Sequence, residues 1–274
     1  MIIDSHQHFW NYHPIKDAWI DEDMSVLKRN FLPEDLLPLL HSNNVNGCIA
    51  VQADQSTDES RFLLKLAEEN EFIKGVVGWV DLCSKDIEAQ IEEFADHKML
   101  VGIRHILQAE EKGFMLTDSF YNGISSLRQY DLTYDILVFP HQLKEVIQLV
   151  GHFPDQPFVI NHMAKPYIKK GEIDDWKRDI STISRFENVW CKISGMVTEA
   201  DLKQWKEDDF TPYLDVIFET FGTDRIMYGS DWPVCLLAAE YDEQKSIIDN
   251  YISQFSKEEY MSIMGSNASN FYHL

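Results

Sequence analysis

No glycine follows the chain's first apolar run. The loop there reads His6-Gln7-His8-Phe9-Trp10, so the glycine-rich turn that cradles a dinucleotide phosphate is missing. Cysteine is scarce as well. Cys48, Cys83, Cys191 and Cys235 are never spaced as CxxC, which argues against a zinc or disulfide framework and for buried free thiols in a reducing compartment. Positive charge is in short supply: 24 lysines and arginines face 46 aspartates and glutamates, a formal net charge of −22. That balance repels phosphate backbones and anionic lipid, so neither nucleic acid nor membrane is expected as a partner. A small acidic substrate stays allowed, because salt screens the global field and a local arginine can dominate a pocket. No run approaches the ~18 apolar residues that span a bilayer. The start, Met1-Ile2-Ile3-Asp4-Ser5-His6, lacks the basic region and apolar stretch of a signal peptide. The expected location is cytoplasmic.

What is present is alternation. Eight short apolar, β-branched runs read as strands: Met1–His6, Gly47–Ala53, Ile73–Val80, Leu100–Leu107, Leu132–Val138, Phe158–His162, Val189–Ser194 and Arg225–Gly229. Helix-like stretches separate them, including Thr57 to Asn70, Asp86 to Asp96, Pro140 to Val150 and Phe210 to Phe221. A last helix is expected near Lys257 to Asn270. Strands alternating with helices predict a parallel sheet. Eight such units in 274 residues fit a single α/β domain of (β/α)8 TIM-barrel type better than an open sheet.

Function in such a barrel gathers where the strands end, so the polar residues at predicted strand ends matter most. Asp4, His6 and His8 alternate along the first strand and are expected on one face. Two imidazoles offer metal ligands, and Asp4 would orient one of them. His-x-His alone is common by chance; its position gives it weight. His162 closes the sixth strand and is the natural third imidazole, although a lone histidine there is more often a core residue. Asp231, in Tyr228-Gly229-Ser230-Asp231-Trp232-Pro233, ends the eighth strand and is a candidate general base or ligand, against the alternative of an Asx turn. Arg104 and His105 end the fourth strand on opposite faces unless a bulge admits both. Arg104 would contact a carboxylate or developing oxyanion. Trp10, Tyr12 and Trp232 are sugar-stacking or packing residues. Lys192, Ser194, His141 and Lys165 receive no role, and Ser194 lacks the GxSxG elbow of a serine nucleophile.

Four segments together resemble a known family: Asp4-Ser5-His6-Gln7-His8-Phe9-Trp10, Gly102-Ile103-Arg104-His105, Asn161-His162-Met163-Ala164-Lys165-Pro166 and the Asp231 segment. They are similar to the amidohydrolase superfamily, and within it to the amidohydrolase-related sugar lactonases of the L-fuconolactonase and L-rhamnonolactonase type. The resemblance covers the whole chain, 1–274. It implies a distorted TIM barrel and a hydrolase that opens a sugar lactone ester with activated water, Asp231 acting as general base. It also implies one divalent metal ion, zinc, on His6, His8, His162 and Asp231. His162 and His105 would be further catalytic residues, and Arg104, Trp10 and Trp232 would bind substrate. Two departures bear on this. Arg104 and His105 stand where two-metal members carry a bridging lysine or glutamate, and the usual later pair of histidines is reduced to His162. A two-metal centre is therefore not expected, and metal-independent catalysis, known in this branch, stays open. The alternatives are a metal-dependent decarboxylase or amide hydrolase on the same barrel, and a non-catalytic sugar-acid-binding barrel. The partner is a small-molecule sugar lactone or related acid, and the oligomeric state is open.

Overall fold

The computed structural model describes residues 1–274. In chain order, β1 (Ile3–Gln7), α1 (Pro33–Ser42), β2 (Gly47–Val51), α2 (Thr57–Glu69), β3 (Ile73–Gly78) and α3 (Ile87–Ala95) are followed by β4 (Leu100–His105) and α4 (Asp118–Leu127). Next come β5 (Thr133–Ile136), α5 (Leu143–His152), β6 (Phe158–Ile160), α6 (Asp174–Ile183), β7 (Val189–Ile193), a short α7 (Met196–Glu199), α8 (Glu207–Phe221) and β8 (Ile226–Tyr228). The chain ends in α9 (Tyr241–Ile252), α10 (Lys257–Met261) and α11 (Asn267–Tyr272). All eight expected strands form. They pair in parallel in sequence order, which is the (β/α)8 barrel. The last predicted helix is broken instead of continuous, because a π-helical stretch over Ser262–Ser266 separates α10 from α11. No helix is long and apolar enough to cross a membrane.

The barrel closes where β1 meets the segment after β8. His8 N–H donates to the Trp232 carbonyl at 2.7 Å and Asp231 N–H donates to the His6 carbonyl at 2.8 Å. This seam makes the first and last strand ends neighbours, which is how residues 225 positions apart reach one site.

Alternation along the strands sorts the interior. Ile3, Ile49, Val51, Val77, Val159 and Met227 pack inside the barrel, where Phe271 and Tyr272 of α11 join them. Their neighbours Cys48, Ala50, Ile160 and Cys191 pack outward against the helices. Towards the C-terminal ends of the strands the inward positions become polar: Arg104, Asp135, Asn161 and Lys192, all buried. The interior thus runs from an apolar floor to a charged upper layer.

Candidate active site

The upper layer begins with a buried ion pair. Lys192 Nζ donates to Asp135 Oδ2 at 2.6 Å. Asp135 also accepts from Asn161 Nδ2 at 2.8 Å and from the Tyr272 hydroxyl at 2.9 Å. Two buried charges are tolerated only when paired and hydrogen-bonded, and this carboxylate has three donors. The pair sits under His6, whose Nδ1 lies 3.3 Å from Lys192 Nζ. On the other side of the ring, Arg104 Nη1 is 3.2 Å from His6 Nε2. A neutral imidazole has one lone pair, so only one of these contacts is a hydrogen bond at a time. Arg104 is itself fixed: its Nη2 donates to the Gln52 carbonyl.

Above this lies the histidine–aspartate cluster. Asp231 Oδ1 is 3.8 Å from His6 Nε2, 3.4 Å from His8 Nε2 and 3.7 Å from His162 Nε2. His8 Nδ1 is 2.7 Å from the Val51 carbonyl. That carbonyl can only accept, so Nδ1 carries the proton and Nε2 keeps its lone pair for the cluster. His162 Nδ1 meets Ser194 Oγ at 2.9 Å, which gives the seventh strand a positioning residue.

Backbone conformation aims these groups. His162, Met163, Ala164 and Lys165 occupy four consecutive left-handed positions, with φ of 53°, 53°, 58° and 51°, and Asp231 has φ 58°. Each such L-residue costs roughly 1–2 kcal/mol, and strain of this kind concentrates at functional sites. The Trp176 indole holds the turn by donating to the Met163 carbonyl at 2.7 Å. Gly195 is required beside it: it has φ +61°, and a Cβ there would sit 2.6 Å from His162 Nδ1.

Burial sets the charge states. It pushes the His162 imidazole down to about 3 and takes His6 well below, and His8 below, the ordinary histidine value. Burial raises Asp231, but His162, His8 and Lys165 more than offset it, and the carboxyl stays below its usual range. The cluster at neutral pH is three neutral imidazoles around one carboxylate. Stability follows by linkage. Above about pH 6.5 neither state protonates these rings; as the pH falls, the unfolded chain takes up protons that the native rings refuse. Stability is therefore lost as pH drops from about 6.5 towards the depressed native values. Asp4, raised by burial to about 6, opposes this together with Glu59 and Glu199, also raised by burial, while His105, lowered by burial, adds to the three rings. Melting temperature should fall between pH 7 and pH 5, and His162→Gln should flatten the slope. An unchanged melting temperature across that range would refute the charge assignment.

The donors fit one metal ion. One nitrogen each of His6 and His8 and an oxygen of Asp231 all lie within 4.8 Å of one another. A tetrahedral zinc with bonds of about 2.0–2.1 Å brings its ligands to roughly 3.3–3.4 Å apart, so small movements suffice. An ion there would take the His6 lone pair that Arg104 now faces. His162 lies outside that group of three, although its Nε2, 3.7 Å from Asp231 Oδ1, is as near the carboxylate as that of His6 at 3.8 Å.

A pocket of ≈ 330 Å³ opens over the cluster. Part of its lining is polar: His8, Arg104, Gln108, His162, Lys165 and Asp231. The rest is apolar, with Trp10, Trp19, Ile106, Leu137 and Val234.

Three expectations are corrected. Asp4 does not orient a histidine ring: the pairing of β1 with β2 shifts register between Asp4 and Gln7, and Asp4 instead accepts from Ser230 N–H at 2.8 Å and the Tyr241 hydroxyl at 3.0 Å, tying the seam. His105 is not placed for catalysis, because β4 pairs regularly with β5 over Gly102–His105 and no bulge turns His105 inward. It stacks on Phe114 at 5.1 Å and reaches Glu110 at 2.8 Å instead. Trp232 is buried and packs edge-to-face on Phe9 and Phe31, so its ring does not line the pocket. Residues that sequence reasoning left out are Gln52, Asp135 and Trp19. Asp135 had a signal, a carboxylate inside the apolar run Leu132–Val138.

Comparison with known proteins gives a consistent picture. The amidohydrolase family model matches residues 3–274. The L-fucono-1,5-lactonase of Burkholderia multivorans is 38% identical, with 99% of this chain and 96% of the relative covered. That of Burkholderia ambifaria is 32% identical, with 99% and 95% covered. A solved amidohydrolase structure from Burkholderia multivorans with bound zinc superposes with a TM-score of 0.96 at 37% identity, covering 100% of this chain and 99% of the other. With eight parallel strands, a strand-end histidine–aspartate cluster and a match along nearly its full length, the chain belongs to the amidohydrolase family.

Proposed function

We propose that this protein is a sugar lactonase that opens an aldono-1,5-lactone to its aldonic acid, with Asp231 as general base. The observation that carries the reading is the Asp231 carboxylate, Oδ1 within 3.4–3.8 Å of three imidazole Nε2 atoms, in the lining of a pocket with polar and apolar residues. The two L-fucono-1,5-lactonases at 38% and 32% identity support the same substrate class.

Asp231 removes a proton from water, and the resulting hydroxide attacks the ring ester carbonyl. Arg104 supplies fixed positive charge to the developing oxyanion; burial lowers it only to about 10, so it stays charged at neutral pH. Asp231 then returns that proton to the departing ring oxygen, which His162, kept neutral by burial and positioned by Ser194, orients by hydrogen bonding. Trp10 and the rest of the apolar lining take the less polar face of the sugar ring and keep bulk water out. One divalent ion, zinc in this reading, would be held by His6, His8 and Asp231 and would polarise the ester carbonyl.

A panel of L- and D-aldonolactones, assayed by acid release with and without chelator, tests this. The expected result is turnover of 1,5-lactones well above spontaneous hydrolysis. Ligand-induced thermal stabilisation without turnover would instead support a binding protein, and carbon dioxide release from an aromatic acid a decarboxylase.

A further inference from the structure

Three cationic side chains surround the cluster, and two are engaged. Arg104 is bound to the Gln52 carbonyl and faces His6 and Asn161. Lys192 is bound to Asp135. The third, Lys165, lines the pocket beside Asp231 and makes no hydrogen bond through its ammonium. Its one ionic partner, Glu199 Oε1, is 3.7 Å away, and the ring of Phe139 lies 5.4 Å from Nζ. Lys165 is also the last of the four left-handed residues that begin at His162. The strain that aims His162 therefore aims Lys165 at the same pocket.

We propose that Lys165 is the residue that binds the carboxylate of a sugar acid and holds the aldonate product, once the oxyanion charge that Arg104 stabilises has become that carboxylate. The substrate part of this rests on the lactonase reading; the binding part does not. Holding an anionic product beside Asp231, in a chain of net charge −22, needs a local cation free to donate. Of the three, Lys165 is the one whose charged group makes no hydrogen bond and is partly exposed in the pocket. Glu199 is the internal stand-in for that carboxylate: it is the nearest anion to the ammonium and competes with the ligand for it.

Calorimetric titration of L-fuconate, with the uncharged alditol L-fucitol as control, tests the assignment on wild type, Lys165→Met, Lys165→Arg and Glu199→Gln. Loss of a charge-assisted hydrogen bond should weaken L-fuconate binding at least about tenfold in Lys165→Met. L-Fucitol binding should be unchanged, Lys165→Arg should retain L-fuconate, and Glu199→Gln should bind it more tightly. Wild type that hydrolyses lactones while Lys165→Met binds L-fuconate as tightly as wild type overturns the assignment and leaves the lactonase reading standing. Lys165-dependent L-fuconate binding without any lactone turnover does the reverse. Absence of L-fuconate binding to wild type, or equal weakening by Lys165→Met and Glu199→Gln, also overturns it, the latter because the pair would then act as a structural unit.

Discussion

Asp231→Asn is expected to lower kcat/KM for the 1,5-lactone by roughly 10²–10⁴-fold, the range for loss of a general base, while the protein stays folded. The change is nearly isosteric. Asparagine is among the few residues that tolerate left-handed backbone, and Asp231 has φ 58°. The seam bond from its N–H to the His6 carbonyl survives, because it is a main-chain contact. What disappears is the one negative charge among three neutral imidazoles, and with it the acceptor for the water proton. The amide cannot take that proton, and it places a donor where an anion faced His8. Initial rates and thermal melts on the purified variant check both halves. Activity within tenfold of wild type would remove Asp231 from the base role.

The second large effect is on stability. Asp135→Ala should destabilise the fold by about 3–5 kcal/mol, as when one partner of a buried ion pair is removed. Asp135 and Lys192 are both fully buried, and the carboxylate accepts from Lys192, Asn161 and Tyr272 at once. Its loss strands an ammonium in the barrel interior and orphans the Tyr272 hydroxyl that anchors α11. The asymmetry is the test. The double variant Asp135→Leu with Lys192→Met removes both charges and should recover most of the loss, since replacing a buried pair with apolar residues is often near neutral. Urea denaturation of the single and double variants separates the cases. A single-variant loss below about 1 kcal/mol, the ordinary value for a point mutation, would mean the pair is not a structural unit.

The barrel was legible because its strands are short apolar runs at regular intervals, and because the strand-end rule picks out His6, His8, His162 and Asp231 without knowledge of contacts. Facing was harder. Alternation predicts that Asp4 joins His6 and His8, and the register shift in β1 defeats it; a bulge leaves no mark in residue type. For Arg104 and His105 alternation worked, since only one of them turns inward. The apparent aromatic platform at Trp232 fails for a different reason: its side chain fills the junction of the seam with Phe9 and Phe31, a contact between distant segments. The buried ion pair beneath the cluster was overlooked because Asp135 and Lys192 lie 57 positions apart, and a buried charge looks unremarkable until its partner is known.

The most direct test is hydrolysis of L-fucono-1,5-lactone in ¹⁸O-labelled water, with wild type and Asp231→Asn side by side and the product analysed by mass spectrometry. Water attack at the ester carbonyl predicts rapid formation of L-fuconate by wild type with one labelled oxygen in its carboxylate, and a rate lower by roughly 10²–10⁴-fold for Asp231→Asn. No acceleration by wild type, or label at the ring carbon instead of the carboxylate, would contradict the account.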